Sequence, residues 1–318
     1  MLQTKDLLGL AEVRGQDISK ILDMTETFKE ILHRPIKKVP TLRGKTVVTL
    51  FYEPSTRTRL SFELAAKRMG ADVSNMSISG SSVEKGESLK DTVRTIEAMG
   101  VDMIIIRHKQ AGAPHLIART IKGSVINAGD GAHEHPTQGL LDLYTIKEKK
   151  KHIKGLHVAI VGDITHSRVA RSDIWGLTKL GAKVTLVGPP TLIPPQIEKL
   201  GDNPHAGKLT VSHSLDNVLP NVDVLYILRL QMERQKKGLF PSLQEYIKFY
   251  GISKERLKKA KPDCLVMHPG PMNIGVEITE EVATSLQSAV EEQVLNGVAV
   301  RMAVLNLFLG GAHHEADL

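Results

Sequence analysis

The feature that most constrains this chain is a regular alternation of short β-branched runs with longer amphipathic stretches. Runs such as KTVVTLFY, VDMIIIR, LHVAIVGD and VDVLYIL are typical of strands. The stretches between them space apolar residues three and four apart, as helices do. Strands that alternate with helices favour parallel sheets covered on both faces. The sequence therefore predicts an α/β protein in which mostly parallel sheets are flanked by helices.

The alternation occurs twice, which suits a chain of 318 residues divided into two domains. The basic run KEKKKHIK lies between the two halves, and its simplest interpretation is a solvated linker or helix end. We therefore expect one domain over 1–150 and a second over 151–289. The apolar stretch within 290–318 is typical of a helix, and we expect it to pack back on the first domain.

The formal net charge of +7 raises the hypothesis of nucleic-acid binding. Aromatic residues make up only 4% of the chain, so stacking platforms for single strands are scarce. An anionic small substrate is another use for excess positive charge. We favour the small substrate and expect no nucleic-acid partner.

Membrane insertion and an oxidising compartment are also disfavoured. No apolar run approaches the roughly 18 residues that span a bilayer, and the start, MLQTKDLLGLAEVRGQD, lacks a signal-peptide pattern. The single cysteine, Cys264, excludes an internal disulfide framework. Its apolar context, CLVM, is more typical of a core residue than of a nucleophile. We expect a cytoplasmic protein without a membrane partner.

The stretch PSTRTR follows the first predicted strand and leads into a helix. It contains Ser55, Thr56, Arg57 and Thr58. In a parallel sheet this position is the carboxyl edge, where ligands bind and where helix N-termini offer free N–H groups. Hydroxyl donors and a planar guanidinium suit a phosphate. The alternative is a helix-capping box with surface arginines; residue types and location together favour an anion site.

Further polar groups follow other strands of the first half. SGSSVEKGES offers Ser81 and Lys85, although alone it is typical of a flexible loop. MIIIRHK ends with Arg107 and His108, which could belong to a site or to a solvated strand end.

The segment NAGDGAHEHPTQG brings His133, His135 and Gln138. A His-x-His pair could indicate a metal, but no further ligands with metal spacing are evident. We therefore predict no metal and no cofactor.

The second half offers groups that suit carboxylates. Only Gly162 stands at the end of the strand LHVAIVGD, so a dinucleotide site is weakly supported. Arg168 opens the next helix, and Arg229 and Gln231 alternate after VLYIL, so that both can point the same way. Arginines at neighbouring strand ends suit a pair of carboxylates, the alternative being surface charges.

The last strand runs into MHPGPMN, a Pro-Gly-Pro turn that can hold the carbonyls of Pro269 and Gly270 rigidly. A cis Gly270–Pro271 bond would suit such a turn. With a phosphate-like site in one half and a carboxylate-like site in the other, we expect the active site in the cleft between the two domains.

Taken in order, PSTRTR, KGES, RH, HPTQ, GDITHSR, RLQ and HPGP resemble the motifs of the transcarbamoylase family, nearly from end to end. PSTRTR and HPTQ are similar to those of all transcarbamoylases, whereas RLQ and HPGP resemble the branch that uses aspartate. An ornithine enzyme would be expected to show a Ser-Met-Gly stretch and a Cys-Leu-Pro turn instead. The chain departs from many relatives in having Ile274 where they carry arginine.

The resemblance implies a reaction and an assembly. Carbamoyl phosphate and L-aspartate would give N-carbamoyl-L-aspartate and phosphate, an early step of pyrimidine biosynthesis, without a cofactor. The minimal active unit would be a homotrimer, with Ser81 and Lys85 reaching the site of a neighbouring subunit and Lys85 also serving aspartate. A dihydroorotase or a regulatory chain is a further partner that the resemblance allows.

The resemblance also implies individual roles. Phosphate would be held by Ser55, Thr56, Arg57 and Thr58, and Arg107 would bridge it to the carbonyl oxygen. The oxygen would accept from His135 and Thr58, and the carbamoyl amide would be held by Gln138, Pro269 and Gly270. The aspartate carboxylates would be bound by Arg168, Arg229 and Gln231. Glu53 would pair with Arg168 and Arg234 on closure.

Two other hypotheses stay open at this point. The acceptor could be a different amine, although Arg229 and Gln231 favour a dicarboxylic or similar amino acid. The chain could also be an inactive scaffold or partner subunit. The complete set of polar residues from Ser55 to Gln138 disfavours the scaffold.

Overall fold

The computed structural model describes residues 2–77, 87–201, 207–231 and 242–310. The chain divides into two compact units. Unit 1 comprises Met1–Leu140 and Asn296–Leu318, and unit 2 comprises Leu141–Leu295. Both units are parallel α/β structures, so the predicted fold class is confirmed.

Unit 1 contains a four-stranded sheet in the order β2-β1-β3-β4, and every neighbouring pair is parallel. Its strands are β1 (Thr46–Phe51), β2 (Asp72–Ser77), β3 (Met103–His108) and β4 (Ser124–Asp130). The helices that begin in it are α1 (Gly15–Leu32), α2 (Thr56–Arg68), α3 (Leu89–Ala98), α4 (Ala113–Ala118) and α5 (Pro136–Lys150). Ile104, Ile106 and Val125 pack with Val93 and Ile96 of α3 in the core, so the β-branched runs of the sequence become buried strands.

Unit 2 contains a five-stranded sheet in the order β7-β6-β5-β8-β9, again entirely parallel. Its strands are β5 (His157–Val161), β6 (Lys183–Val187), β7 (Leu209–Ser212), β8 (Val224–Ile227) and β9 (Leu265–Met267). The helices are α6 (Arg168–Lys179), α7 (Leu215–Val218), α8 (Leu243–Tyr250), α9 (Lys254–Leu257), α10 (Glu280–Ala283) and α11 (Val290–Leu305), the last of which continues into unit 1.

Each sheet has a point at which the strand order reverses. In unit 1 the chain moves from β1 to β2 on one side and then to β3 on the other. In unit 2 it moves from β5 through β6 and β7, and then to β8 on the opposite side of β5. Ligands of open parallel sheets bind beyond the carboxyl ends of the strands at such a point. The loops that follow β1 and β3, and those that follow β5 and β8, are therefore the places to look for a site.

The unit boundaries fall within helices. The first lies between Leu140 and Leu141, inside α5, and the second lies between Leu295 and Asn296, inside α11. The boundaries expected from the sequence were 150 and 289. The basic run lies in the last turn of α5 and the residues after it.

Among the described residues, α11 continues into a π-helical turn at Asn306–Gly310. The combined helix, Val290–Gly310, is long and apolar enough to cross a bilayer. Within it, 72% of the apolar window is buried inside the protein, which is also typical of the core helix of a soluble protein. Arg301 lies in this helix with its guanidinium 5.0 Å from the ring centre of Phe62. The finding is weak support for a membrane span.

Candidate active site

The N-terminus of α2 presents the polar residues expected to bind an anion. Ser55 precedes the helix in an extended conformation, and its hydroxyl makes no capping hydrogen bond. The first turn contains no acidic residue and carries Arg57, although a cation is unfavourable at the positive end of a helix dipole. Thr56 and Arg57 are exposed, whereas Thr58 is buried. A bound anion would offset this accumulation of positive charge.

Arg107 lies at the neighbouring strand end, on the other side of the reversal point. It pairs with Phe51 of β1 in the sheet register, and it donates from Nη1 to the carbonyl of Ala128 at 3.1 Å. The register of β3 against β4 shifts between Ile106 and His108, and such irregularities re-aim a side chain at a strand end. Arg107 Nε lies 3.6 Å from Glu53 Oε2. Glu53 and Arg107 are thus brought together, a pairing that the sequence did not indicate.

His135 and Gln138 lie where β4 passes into α5. Pro136 occupies the first position of the helix, where its missing N–H costs nothing. The His135 carbonyl accepts from the Gln138 N–H at 2.9 Å, so the two residues share the first turn. His135 is buried and Gln138 is half-buried.

A buried polar network fixes this turn, and sequence reasoning missed it. Asn127 donates to Asp130 Oδ1 at 2.8 Å and to the Leu8 carbonyl at 2.8 Å. The carboxylate of Glu134 accepts from the backbone N–H of Leu10 at 2.7 Å and of Ala11 at 3.1 Å. The signal available in the sequence was the density of Asn, Asp and Glu in NAGDGAHEH, which is unusual for a loop that follows an apolar strand.

His133 lies beside the carboxylate of Asp130. Its Nδ1 lies 3.1 Å from Asp130 Oδ2. Burial alone would raise the pKa of Asp130, but hydrogen bonds from His133, Gly112 and Asn127 outweigh it and hold that pKa below its usual value. Asp130 is therefore an ionised carboxylate inside the unit.

In unit 2, the loop between β5 and α6 is built around Gly162. Its φ of +127° is unfavourable for other residues, and a Cβ there would lie 3.0 Å from the Tyr246 hydroxyl and 3.3 Å from the Leu228 carbonyl. Ser167 caps α6 by accepting from the Ala170 N–H at 3.1 Å. The cap places Arg168 at the first helical position.

Arg168 is the cation at the start of α6. It is buried, and the first turn of the helix contains no acidic residue. This repeats the arrangement at the start of α2. A carboxylate would be stabilised there by both the guanidinium and the helix dipole.

Arg229 and Gln231 follow β8, the strand across the reversal point from β5. Both are half-buried and alternate with buried Leu228 and Leu230, as the sequence predicted. The Leu228 N–H donates to the Val161 carbonyl at 2.8 Å, which extends the pairing of β8 with β5 by one residue. The two polar side chains therefore stand at the carboxyl end of the sheet.

The Pro269–Gly270–Pro271 turn follows β9, and its Gly270–Pro271 bond is cis, as predicted. The turn is braced by His268, whose Nδ1 accepts from the Gly270 N–H at 2.8 Å and whose Nε2 lies 3.3 Å from Glu277 Oε1. Since Nδ1 accepts, Nε2 carries the proton and donates to Glu277. His268 and Glu277 are both fully buried and were not identified from the sequence.

Some predicted residues cannot be placed. Ser81, Lys85 and Arg234 lie outside the described residues. The proposed pairing of Glu53 with Arg168 and Arg234 stays a prediction. Cys264 is fully buried, and burial raises the pKa of its thiol to about 12, which agrees with a core role.

Two parallel α/β units, each with arginine and polar side chains at the reversal point of its sheet, define a class of two-domain α/β proteins that bind anionic small molecules. Within this class the chain belongs to the aspartate/ornithine carbamoyltransferase family. The family's carbamoyl-P binding domain matches residues 5–148, and its Asp/Orn binding domain matches residues 154–308.

Three known proteins illustrate the similarity. The chain is 62% identical to the aspartate carbamoyltransferase catalytic subunit of Moorella thermoacetica over 98% of this chain and 99% of that protein. It resembles the aspartate transcarbamoylase of Trypanosoma cruzi, solved with carbamoyl phosphate and aspartate, with a TM-score of 0.85, 31% identity and coverage of 96% of both chains. It resembles the ornithine carbamoyltransferase of Pyrococcus furiosus with a TM-score of 0.86, 32% identity and coverage of 96% and 97%.

Proposed function

We propose that this chain transfers the carbamoyl group of carbamoyl phosphate to the amino group of L-aspartate, giving N-carbamoyl-L-aspartate and phosphate for pyrimidine biosynthesis. The observation that carries the proposal is the pair of cationic sites, one in each unit, at the reversal points of the two sheets. One suits a phosphate and the other suits carboxylates, which are the charged groups of the two substrates.

The site of unit 1 would bind carbamoyl phosphate. Ser55, Thr56, Arg57 and Thr58 would hold the phosphate through hydroxyls, a guanidinium and the free N–H groups of α2. Arg107 would bridge the phosphate and the carbonyl oxygen. We assign the binding of carbamoyl phosphate to the domain expected over 1–150.

Catalysis would depend on charge that develops at the carbonyl oxygen. Attack by the amine places negative charge there, and Arg107, His135 and Thr58 would stabilise it as an oxyanion hole does. The amide would be held by Gln138 and by the carbonyls of Pro269 and Gly270. The departing phosphate can itself accept the amine proton, so neither a protein nucleophile nor a metal is required.

The site of unit 2, within 151–289, would bind the acceptor. Arg168, Arg229 and Gln231 would bind the two carboxylates of aspartate, and planar guanidinium groups suit that geometry. We propose that the active unit is a homotrimer in which a neighbouring chain supplies Ser81 and Lys85 to the site. Glu53 and Arg234 would act in domain closure. We place the reaction in the cytoplasm, which suits a single reduced cysteine.

Calorimetric titration with a bisubstrate analogue, a phosphonate joined to aspartate, tests the proposal on protein of known oligomeric mass. We expect tight binding of one analogue per chain and formation of carbamoyl-aspartate from the two substrates. If a simple phosphonate bound as tightly as the bisubstrate analogue, the assignment of aspartate as the acceptor would be wrong. Absence of product from pure protein would refute the activity.

A transcarbamoylase with a different acceptor is the second candidate, because the ornithine enzyme of Pyrococcus furiosus shares this fold at a similar TM-score. A panel of amines separates the two. We expect turnover with aspartate and none with ornithine, because Arg168 and Arg229 would repel a cationic side chain.

A further inference from the structure

Unit 1 carries a second group of ligating side chains that the proposed transfer reaction does not use. It consists of His115 in α4, Asp130 at the end of β4 and His133 in the loop that follows. One nitrogen or oxygen from each residue lies within 4.8 Å of the other two. We refer to these three residues as the histidine cluster. None of them is assigned to either substrate.

One close contact lies within the histidine cluster, and a second joins it to Glu12. His133 Nδ1 lies 3.1 Å from Asp130 Oδ2, and His115 Nε2 lies 2.9 Å from Glu12 Oε1. The rings of His115 and His133 meet edge to face, with centres 5.5 Å apart. Two imidazoles and a carboxylate thus converge from α4, from the end of β4 and from the loop that follows β4.

His115 supplies the observation that points to a ligand. Its Nδ1 is buried and has no hydrogen-bond partner among the described residues. In the neutral tautomer whose Nε2 donates to the carboxylate of Glu12, Nδ1 keeps a bare lone pair. A buried acceptor without a partner is costly, and metal coordination would satisfy it.

We propose that the histidine cluster binds one divalent transition-metal ion of the zinc type, through His115 Nδ1, Asp130 and His133, with the fourth position open to water. Glu12 orients His115 by accepting from Nε2, as carboxylates do behind many metal-bound histidines. Asp130 is oriented in turn by Asn127 and by the Gly112 N–H, which donates to Oδ2 at 2.7 Å.

The donor set determines which ions are suitable. Imidazole nitrogen and carboxylate oxygen bind Zn²⁺ at about 2.0–2.2 Å, so tetrahedral ligand atoms lie about 3.4 Å apart. The ligand atoms of the histidine cluster lie within 4.8 Å of one another, so metal binding would require the three side chains to draw closer. Mg²⁺ and Ca²⁺ prefer oxygen ligands and larger shells, so the proposal excludes them.

The experiment uses untagged full-length protein that has been treated with a chelator and dialysed. Zn²⁺ is titrated by calorimetry, and Co²⁺ is followed by its visible absorption, with thermal unfolding measured in parallel. We expect one ion per chain, a rise in the unfolding temperature with Zn²⁺ or Co²⁺ because only the folded state is bound, and no rise with Mg²⁺ or Ca²⁺.

Variants assign the ion to the histidine cluster. His115→Gln and His133→Gln should each reduce the stoichiometry from one ion to none, while Glu12→Gln should weaken binding about 10- to 100-fold and keep the stoichiometry. His152→Gln alters an exposed histidine of unit 2 and should leave binding unchanged.

The sequence His313–His314 needs its own control, because adjacent histidines can bind metal without a built site; it lies outside the described residues. The double variant His313→Gln/His314→Gln should bind one ion as the original chain does. Loss of binding in that variant, with retention in His133→Gln, would overturn the proposal, as would absence of binding in the original chain. Circular dichroism of each variant shows whether it is folded, and His115→Gln and His133→Gln test the same site independently.

Discussion

At the scale of single residues, Arg107 is the side chain on which the proposed chemistry depends most. It stands at the reversal point of the sheet in unit 1, beside Glu53, and is mostly buried. In such a position a planar guanidinium can donate to two acceptors at once, whereas an ammonium group acts as a point charge. The identity of the cation therefore matters as well as its sign.

We expect Arg107→Lys to lower kcat/KM for carbamoyl phosphate about 10²- to 10³-fold, the effect of removing one oxyanion donor. Steady-state kinetics measures it. Arg94→Lys, which changes an exposed arginine of α3 in the same unit, serves as the control and should be silent. Equal activity of Arg107→Lys and the original chain would remove Arg107 from the mechanism.

Asp173 is a residue whose effect should appear in stability. It is fully buried in α6, and burial, followed by the neighbouring charge of Asp142, raises its pKa well above the usual value. Asp142 is held by the Tyr226 hydroxyl at 2.7 Å and by Gln293 Nε2 at 2.6 Å. Asp173 thus keeps its proton to a higher pH than an exposed aspartate does, because ionisation would place a second charge beside Asp142.

Asp173 should make the folding equilibrium constant pH-dependent. We expect its contribution to lower that constant about tenfold for each unit that the pH rises, between pH 4 and the pKa of Asp173 in the folded protein. In that window the folded chain retains a proton that the unfolded chain has released. Asp173→Asn provides an N–H donor at every pH, so this part of the slope should disappear. Denaturant unfolding at several pH values measures it.

The contrast for this prediction is Asp216→Asn. Burial alone would raise the pKa of Asp216, but Lys259 and Arg256 lower it. Its contribution to stability is present above the unfolded pKa and is lost as pH falls, so this substitution should act mainly at neutral pH. A slope in Asp173→Asn identical to that of the original chain would contradict the assignment of the buried proton.

At the scale of elements, the loop that follows β5 positions the proposed acceptor site. Gly162 brings its backbone against Leu228 and Tyr246, and the cap of α6 begins five residues later. A Cβ at Gly162 would lie 3.0 Å from the Tyr246 hydroxyl, so its neighbours would have to shift. Because Leu228 directly precedes Arg229 and the loop leads to Arg168, we expect a displacement here to move both arginines.

We expect Gly162→Ala to weaken aspartate use at least tenfold while calorimetric binding of inorganic phosphate stays unchanged, because the proposed phosphate site lies in unit 1. Gly155→Ala is a matched control, since Gly155 has a φ of +83° but no atom within 4 Å of its missing Cβ. Both substitutions carry the strain of a positive φ, and only Gly162→Ala adds tight contacts with Tyr246 and Leu228. Equal aspartate kinetics in the two variants would contradict the positional argument.

Much of the element pattern was predictable, because buried parallel strands are continuous β-branched runs. Among the described strands, β1, β3, β5, β6 and β8 coincide with such runs, whereas β2, DVSNMS, is polar and largely exposed. The strand orders, and hence the reversal points, were not predictable, because they depend on pairing between distant segments. The same applies to His115, which lies in α4 and meets Asp130 and His133 only in the folded unit.

At the scale of the whole molecule, the proposed homotrimer makes a prediction about mixed chains. In the proposed trimer, each site takes Arg107 from one chain and Lys85 from its neighbour. A Lys85→Ala chain and an Arg107→Ala chain therefore lack residues that different chains supply to the same site. Mixed trimers would then contain some sites with both residues intact.

We expect separately inactive Lys85→Ala and Arg107→Ala proteins to regain activity after joint dissociation and reassembly. The pair Arg57→Ala and Arg107→Ala is the control. Both changes affect residues that one chain supplies to one site, so no mixed site is complete. Mass measurement verifies mixing, and verified mixed trimers without activity would contradict the shared site.

The discontinuity of unit 1 has a consequence for the order of events during synthesis. Residues 141–295 of unit 2 leave the ribosome between the two parts of unit 1. At about 5–20 residues per second, the four strands of unit 1 wait about 10–30 s for the segment that begins at Asn296. Unit 2, whose sequence is continuous, can finish folding first, so the nascent chain is expected to complete its middle before its beginning.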